Sequence, residues 1–234
     1  MYGFYYFDYY YIVLVLPAVI LSMIAQIKVN STFKKYSTLK NSRAITGADA
    51  ALRVLRNNGI TNVNIERVSG NLTDHYDPSS NVIRLSDAVY NSTSVSAIGV
   101  AAHEAGHAVQ NQEAYLPIKI RQAMVPVTQF SSRLSIPLII IGLFLPAGLE
   151  YVVYAGIILF SVSVLFEIIT LPVEFDASKR AIKALEESDI LYGEELKGAK
   201  KVLSAAAMTY LAAMLTSLMS LLRLILISNS RRRD

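Results

Sequence analysis

The stretch "YYYIVLVLPAVILSMIAQI", residues 9–27, carries no charged side chain and is long enough to cross a bilayer as a helix. Lipid offers no partners to backbone N–H and C=O groups, so such a segment must satisfy its own, which a helix does. Two more apolar segments form a pair. "SIPLIIIGLFLPAG", starting at Ser135 and extending back toward Gln129, is followed after Leu149 and Glu150 by "YVVYAGIILFSVSVLFEIITLPV", residues 151–173. The Pro-Ala-Gly turn between them predicts a helical hairpin. A fourth segment, Ala205 to Ile227, is rich in Ala, Ser, Thr and Met, suited to packing among membrane helices, and is interrupted by Arg223. The fold class that follows is mainly α: a polytopic membrane protein with three to four transmembrane helices, at 9–27, in a 129–173 hairpin and at 205–227. Tyr2, Tyr5, Tyr6, Tyr9, Tyr10 and Tyr11, with Phe4 and Phe7, suit the membrane–water interface. The first segment has no basic leader and no clear small-residue cleavage site, so it reads as an uncleaved anchor. Glu167, inside the third segment, is expected to make a helix–helix hydrogen bond rather than face lipid.

The basic residues predict an orientation. Of 22 Lys and Arg, twelve lie between Lys28 and Arg133 and six between Glu174 and Ser204, with none before Lys28 and none in the hairpin turn. The positive-inside rule then puts both polar regions in the cytoplasm and the N-terminus outside. Arg223 and the three arginines at 231–233 stand against this if the last helix crosses fully, but eighteen outweigh four. A net charge of +4 on a chain that is 53% hydrophobic fits membrane orientation and gives no reason to expect nucleic acid as a partner.

The chemistry concentrates in "AAHEAGHAVQ", residues 101–110, which holds two of the chain's three histidines. From Ser94 to Gln112 the sequence is alanine-rich, free of proline and without alternation, and Ser92, Thr93 or Ser94 can cap its start, so it predicts a helix. His103 and His107, four apart, share one helical face and can point at one metal ion. Glu104, about 100° around the helix from His103, can take a proton from water beside that metal. This is the HExxH arrangement of zinc hydrolases. The four alanines at 101, 102, 105 and 108 make the helix apolar and buried, where unpaired histidines and a glutamate are costly. Gly106 costs about 1 kcal/mol against alanine within a helix and implies that something approaches that face closely. The chain has no cysteine, which excludes thiolate metal sites, disulfides and a cysteine nucleophile.

A hydrolytic zinc takes three protein ligands and leaves a position open. The hairpin crosses the bilayer twice and returns the chain to the side of the histidines at "LPVEFDASKRAIKAL". Pro172 can kink or end the membrane helix there, and helical character resumes through residues 174–204. Glu174 or Asp176 on this segment could face His103 and His107.

"AAHEAGHAVQ", "LTDHYDP" followed by "RLS", and "LPVEFDASKRA" after a hydrophobic hairpin together resemble the YugP-like family of bacterial membrane proteins, neutral zinc metallopeptidases, over nearly the whole chain. More distantly the chain is similar to membrane gluzincins such as the CAAX prenyl proteases and heat-shock membrane proteases. In that wider group the glutamate opening an E-x-x-x-D motif is the third zinc ligand, and the matching position is Glu174. The motif departs at its end, where Ser178 replaces the aspartate. The resemblance also implies a strand before the active helix that pairs with extended substrate. Val82 to Leu85 matches, with an ordinary paired strand as the alternative.

The polar region 33–128 reads as a small cytosolic α+β lobe: a helix from Thr46 ended by Gly59, a strand over 62–68 and another over 81–86. His75, in "TDHYDP", is a third ligand, an oxyanion donor or a loop-structuring residue, with Asp74, Asp77 and Pro78 favouring a turn. Tyr76 and Arg180 are further oxyanion candidates. The function expected is a zinc endopeptidase (Zn²⁺ on His103, His107 and Glu174, with Glu104 as general base) that cuts membrane or membrane-proximal polypeptides at the cytoplasmic face. A catalytically inactive metal-binding scaffold is the rival, though such a protein would have no need of Glu104. A metal transporter fits less well, because the membrane segments offer only Glu167 and Arg223 as charged groups.

Overall fold

A computed structural model describes residues 8–146 and 148–231. The aromatic run from Tyr2 to Phe7 and the last two arginines lie outside them. One π-helical turn, Tyr11–Val15, leads into α1 (Leu16–Ser37). It ends just before Pro17, which has no N–H for the Val13 carbonyl and crowds it. Then follow α2 (Gly47–Asn57), β1 (Asn64–Val68), β2 (His75–Asp77), β3 (Val82–Ser86), α3 (Val95–Gln112), α4 (Leu116–Phe144), α5 (Tyr151–Glu187) and α6 (Gly193–Arg231). Among the described residues four helices are long and apolar enough to cross a membrane: Tyr11–Ser37, Leu116–Phe144, Tyr151–Glu187 and Gly193–Asn229. The described residues are therefore mainly helical, with four candidate spans and one small sheet.

Contacts divide the chain into two compact units. One contains the N-terminal residues through Ile24, Ile120–Thr170 and Tyr210 onward. Within it α4 and α5 meet closely at glycines. A Cβ on Gly156 would sit 2.9 Å from the Ser135 carbonyl oxygen, and one on Gly142 would sit 2.8 Å from the Val153 nitrogen. Small residues let helix backbones approach where lipid gives no hydrophobic drive for association. Several polar side chains here pair with one another. Ser217 donates to Glu167 at 3.0 Å, Arg223 Nε donates to Asp8 at 2.6 Å, and Ser22 and Thr216 share a 3.0 Å hydrogen bond. Arg223 is thus not a bare charge among apolar residues.

The other unit contains Ala25–Lys119 and Leu171–Thr209. Its core packs α2, α3 and the sheet against the later turns of α5 and the first turns of α6, with Leu55, Ile83, Leu85, Ile98, Leu185 and Leu191 essentially without solvent contact. Thr46 caps α2 in a reciprocal capping box with Asp49, and Gly59 beyond its end takes a positive φ of 71°. The strand order is β1-β3-β2, with β1 parallel and β2 antiparallel to β3. This corrects two expectations. β3 is the central strand, bonded on both sides, so Val82 to Leu85 offer no free edge to an extended peptide. Just before β2 begins, the Asp74 carboxylate accepts from the Ser86 N–H at 2.7 Å. His75 and Tyr76, read as part of a turn, instead form β2, because pairing with Arg84 and Ile83 outweighs the local preference of the flanking Asp and Pro residues for turns.

Residues 174–204, read from the sequence as one helical segment, fall on two helices. α5 continues through Pro172 to Glu187, and α6 begins at Gly193. Pro172 removes one backbone donor, but helical structure continues on both sides of it.

Candidate metal centre

Ser94 caps α3, its hydroxyl accepting from the Ala97 N–H at 3.2 Å, and the helix then runs buried for most of its length. Gly106 sets how near α5 can come. A Cβ there would stand 2.7 Å from the Ala177 carbonyl oxygen, closer than real Cβ contacts allow. The close approach expected from Gly106 is that of the α5 backbone, and it brings Glu174 against the two histidines of α3.

The Nε2 of each imidazole faces the same carboxylate oxygen. His103 Nε2 lies 3.2 Å and His107 Nε2 3.5 Å from Glu174 Oε2. All three residues offer donor atoms within 4.8 Å of one another. Atoms held at 2.0–2.1 Å by one tetrahedral zinc would sit roughly 3.3 Å apart, so the spacing fits such an ion. The three side chains are only 13%, 10% and 3% exposed, respectively, and the two rings stand nearly perpendicular with centroids 4.7 Å apart.

The outer nitrogens are also occupied. His107 Nδ1 lies 3.0 Å from Gln110 Oε1. The Gln110 amide nitrogen donates to the Val173 carbonyl and to Asp176, both at 2.8 Å. With the amide nitrogen committed to two acceptors, Oε1 must receive the Nδ1 proton, which leaves the His107 Nε2 lone pair for a metal. On His103, Nδ1 lies 3.1 Å from Ser178 Oγ, so a side chain of α5 also reaches the outer nitrogen of this ring. Asp176 is not among the clustered donors. It accepts from Gln110 and from Arg180, and Arg180 also donates to Glu113 at 2.6 Å.

Glu104 is buried, 8% exposed, and among the described residues its carboxylate takes no hydrogen bond from the protein. Burial works against a charge on His107, but the Glu174 hydrogen bond and the Glu104 and Glu174 charges outweigh it and raise the imidazole's pKa above its ordinary value.

The remaining sequence candidates lie elsewhere. His75 is exposed on β2, its Nδ1 2.8 Å from the Thr73 carbonyl. The Tyr76 hydroxyl donates to Asn81 and accepts from Asn111. Arg180 is held by Asp176 and Glu113 over the Tyr115 ring. Gln110 was not anticipated. Its signal was available: an amide three residues past His107, within reach of the imidazole one helical turn back.

The donor set suits zinc without thiolates: two imidazoles, one carboxylate and a buried second carboxylate beside them. The chain is 48% identical over 217 residues, 93% of its own length and 96% of the other's, to the "Putative membrane protease YugP" of Bacillus subtilis (strain 168). No solved structure matches it. A family match covers residues 11–229 and so includes His103, His107 and Glu174, and by it the chain belongs to the family described as "Putative neutral zinc metallopeptidase".

Proposed function

We propose that this protein is a zinc-dependent integral-membrane endopeptidase of the HExxH-plus-glutamate, gluzincin type, with His103, His107 and Glu174 as metal ligands and Glu104 as general base. The observation that carries the reading is the convergence of both Nε2 atoms on one Glu174 oxygen, with a buried, unbonded Glu104 next to them. A bound zinc would supply the Lewis-acid charge that acidifies water and polarises a peptide carbonyl. Glu104 takes a proton from that water as its oxygen bonds to the carbonyl carbon. It then hands the proton to the amide nitrogen as the C–N bond breaks. Gln110 and Ser178 keep the imidazoles turned, so that no rearrangement is needed at the moment of reaction. The four apolar helices support substrates that are membrane or membrane-proximal polypeptides, and the distribution of Lys and Arg supports a cytoplasmic active site.

Substituting Glu104→Gln in the purified full chain tests the reading against a non-catalytic metal scaffold. Zinc content should remain at about one per chain, as for a single such site, while cleavage of casein falls by on the order of 10²–10⁴. Undiminished, chelator-sensitive cleavage by this variant would rule out Glu104 as the base.

A further inference from the structure

The second unit carries another feature, remote from the histidines in kind: a lysine-lined groove between the last turns of α1 and the first turns of α6. On α1, Lys28, Thr32 and Lys35 follow each other at helical i, i+4, i+7 spacing. On α6, Lys197, Lys200, Lys201, Ser204, Ala205 and Met208 likewise share one face. The two faces and Tyr36 enclose about 600 Å³. Gly198 lets the wall close, since a Cβ there would stand 2.7 Å from the Tyr36 ring.

The groove has an excess of positive charge and unused donors. Of its five lysines only Lys197 has an ion-pair partner among the described residues, Glu194 at 2.7 Å. Lys35 sits over the Tyr36 ring at 5.7 Å. All five ammonium-bearing side chains belong to exposed residues. Among the described residues the hydroxyls of Thr32, Tyr36 and Ser204 make no hydrogen bond to protein. Below this polar rim the wall turns apolar at Ala205 and at Met208, which is 46% exposed, and Ile27, next to Lys28, is 65% exposed. Both helices continue from here as candidate membrane spans. Cations and hydroxyl donors above, apolar side chains below, at the end of two spans, match a molecule with a phosphate head and acyl tails.

We propose that this groove binds the phosphate headgroup of an anionic phospholipid of the surrounding bilayer. The lysines neutralise the phosphate, the three hydroxyls donate to its oxygens, and the acyl chains lie along Met208 and Ile27. A free phosphate ion would satisfy only the upper half. The assignment needs the helices to lie in a membrane but does not need the protein to be a peptidase.

The test uses the full chain in detergent, with binding of phosphatidylglycerol, phosphatidylcholine and inorganic phosphate measured by native mass spectrometry and titration. Phosphatidylglycerol should bind in preference to phosphatidylcholine. Replacing Lys35, Lys200 and Lys201 together by Gln should weaken it roughly tenfold or more. Replacing the three by Arg should retain binding, and Lys40, Lys119 and Lys183 changed to Gln should leave it near wild type. Equal loss in the groove and control variants, no preference between the two lipids, or displacement of the lipid by equimolar inorganic phosphate would each overturn the proposal. Thermal unfolding confirms that each variant is folded, and zinc content and cleavage are not among the readouts.

Discussion

At the scale of single residues, the arrangement around His107 leads to two expectations. Gln110 is fully buried and spends both amide protons on Val173 and Asp176 while accepting from His107. Gln110→Leu has about the right volume but none of these bonds, so it should lower zinc affinity about 10–100-fold, the usual cost of losing a ligand's outer partner. Competition with a fluorescent chelator measures this, and unchanged affinity would mean the amide does not orient the ring. The second concerns pH. In the metal-free protein the neighbouring carboxylates raise the pKa of His107 above its ordinary value, so imidazolium is favoured to higher pH than in an isolated histidine. Zinc requires the neutral ring. Binding should therefore expel a proton, and affinity should fall as pH drops through the raised pKa. Calorimetry in buffers of different ionisation enthalpy reads the proton directly, and zinc uptake with no proton release near pH 7 would contradict it.

At the scale of elements, the distance between α3 and α5 is the controlling quantity, and two glycines of α3 separate its effect from helix propensity. A Cβ on Gly106 would be 2.7 Å from the backbone oxygen of Ala177, whereas on Gly99 the nearest atom is the Ala199 Cβ at 3.5 Å. Gly106→Ala should force the helices apart, destabilise the fold by about 1–3 kcal/mol and lower zinc content. Gly99→Ala fits without displacement and should be neutral or stabilising by up to about 1 kcal/mol from helix propensity alone. Thermal unfolding with metal analysis of both variants distinguishes the outcomes. Equal behaviour of the two would show that packing against α5 does not hold the site.

At the scale of the whole molecule, the proposed sidedness has a direct measurement, because the chain contains no cysteine. Single-cysteine variants at exposed positions report their compartment. Glu150→Cys, in the turn between α4 and α5, should react with a membrane-impermeant maleimide on intact bacterial cells. Asn71→Cys, between β1 and β2, should react only after permeabilisation. The reverse pattern would put the histidine helix on the outer face and remove the basis for a cytoplasmic substrate.

What the amino-acid order alone determines here is whatever rests on one segment at a time. Length and apolarity mark three to four candidate spans, found as four long apolar helices among the described residues, and the 3.6-residue period puts His103 and His107 on one face. Thr46 with Asp49 sets the start of α2. The family resemblance, carried by several separate motifs, also pointed to Glu174, which composition and spacing alone left level with Asp176. Only the tertiary structure decided which carboxylate meets the histidines. Glu174 and Asp176 are two residues apart on one helix and so about 200° apart around it. The seating of α5 against Gly106 turns one toward the imidazoles and the other toward Gln110 and Arg180. The same holds for the sheet. The run 81–86 reads as a strand from its local sequence, but its central place comes from β1 and β2 pairing on either side, a choice made between segments that no local pattern encodes.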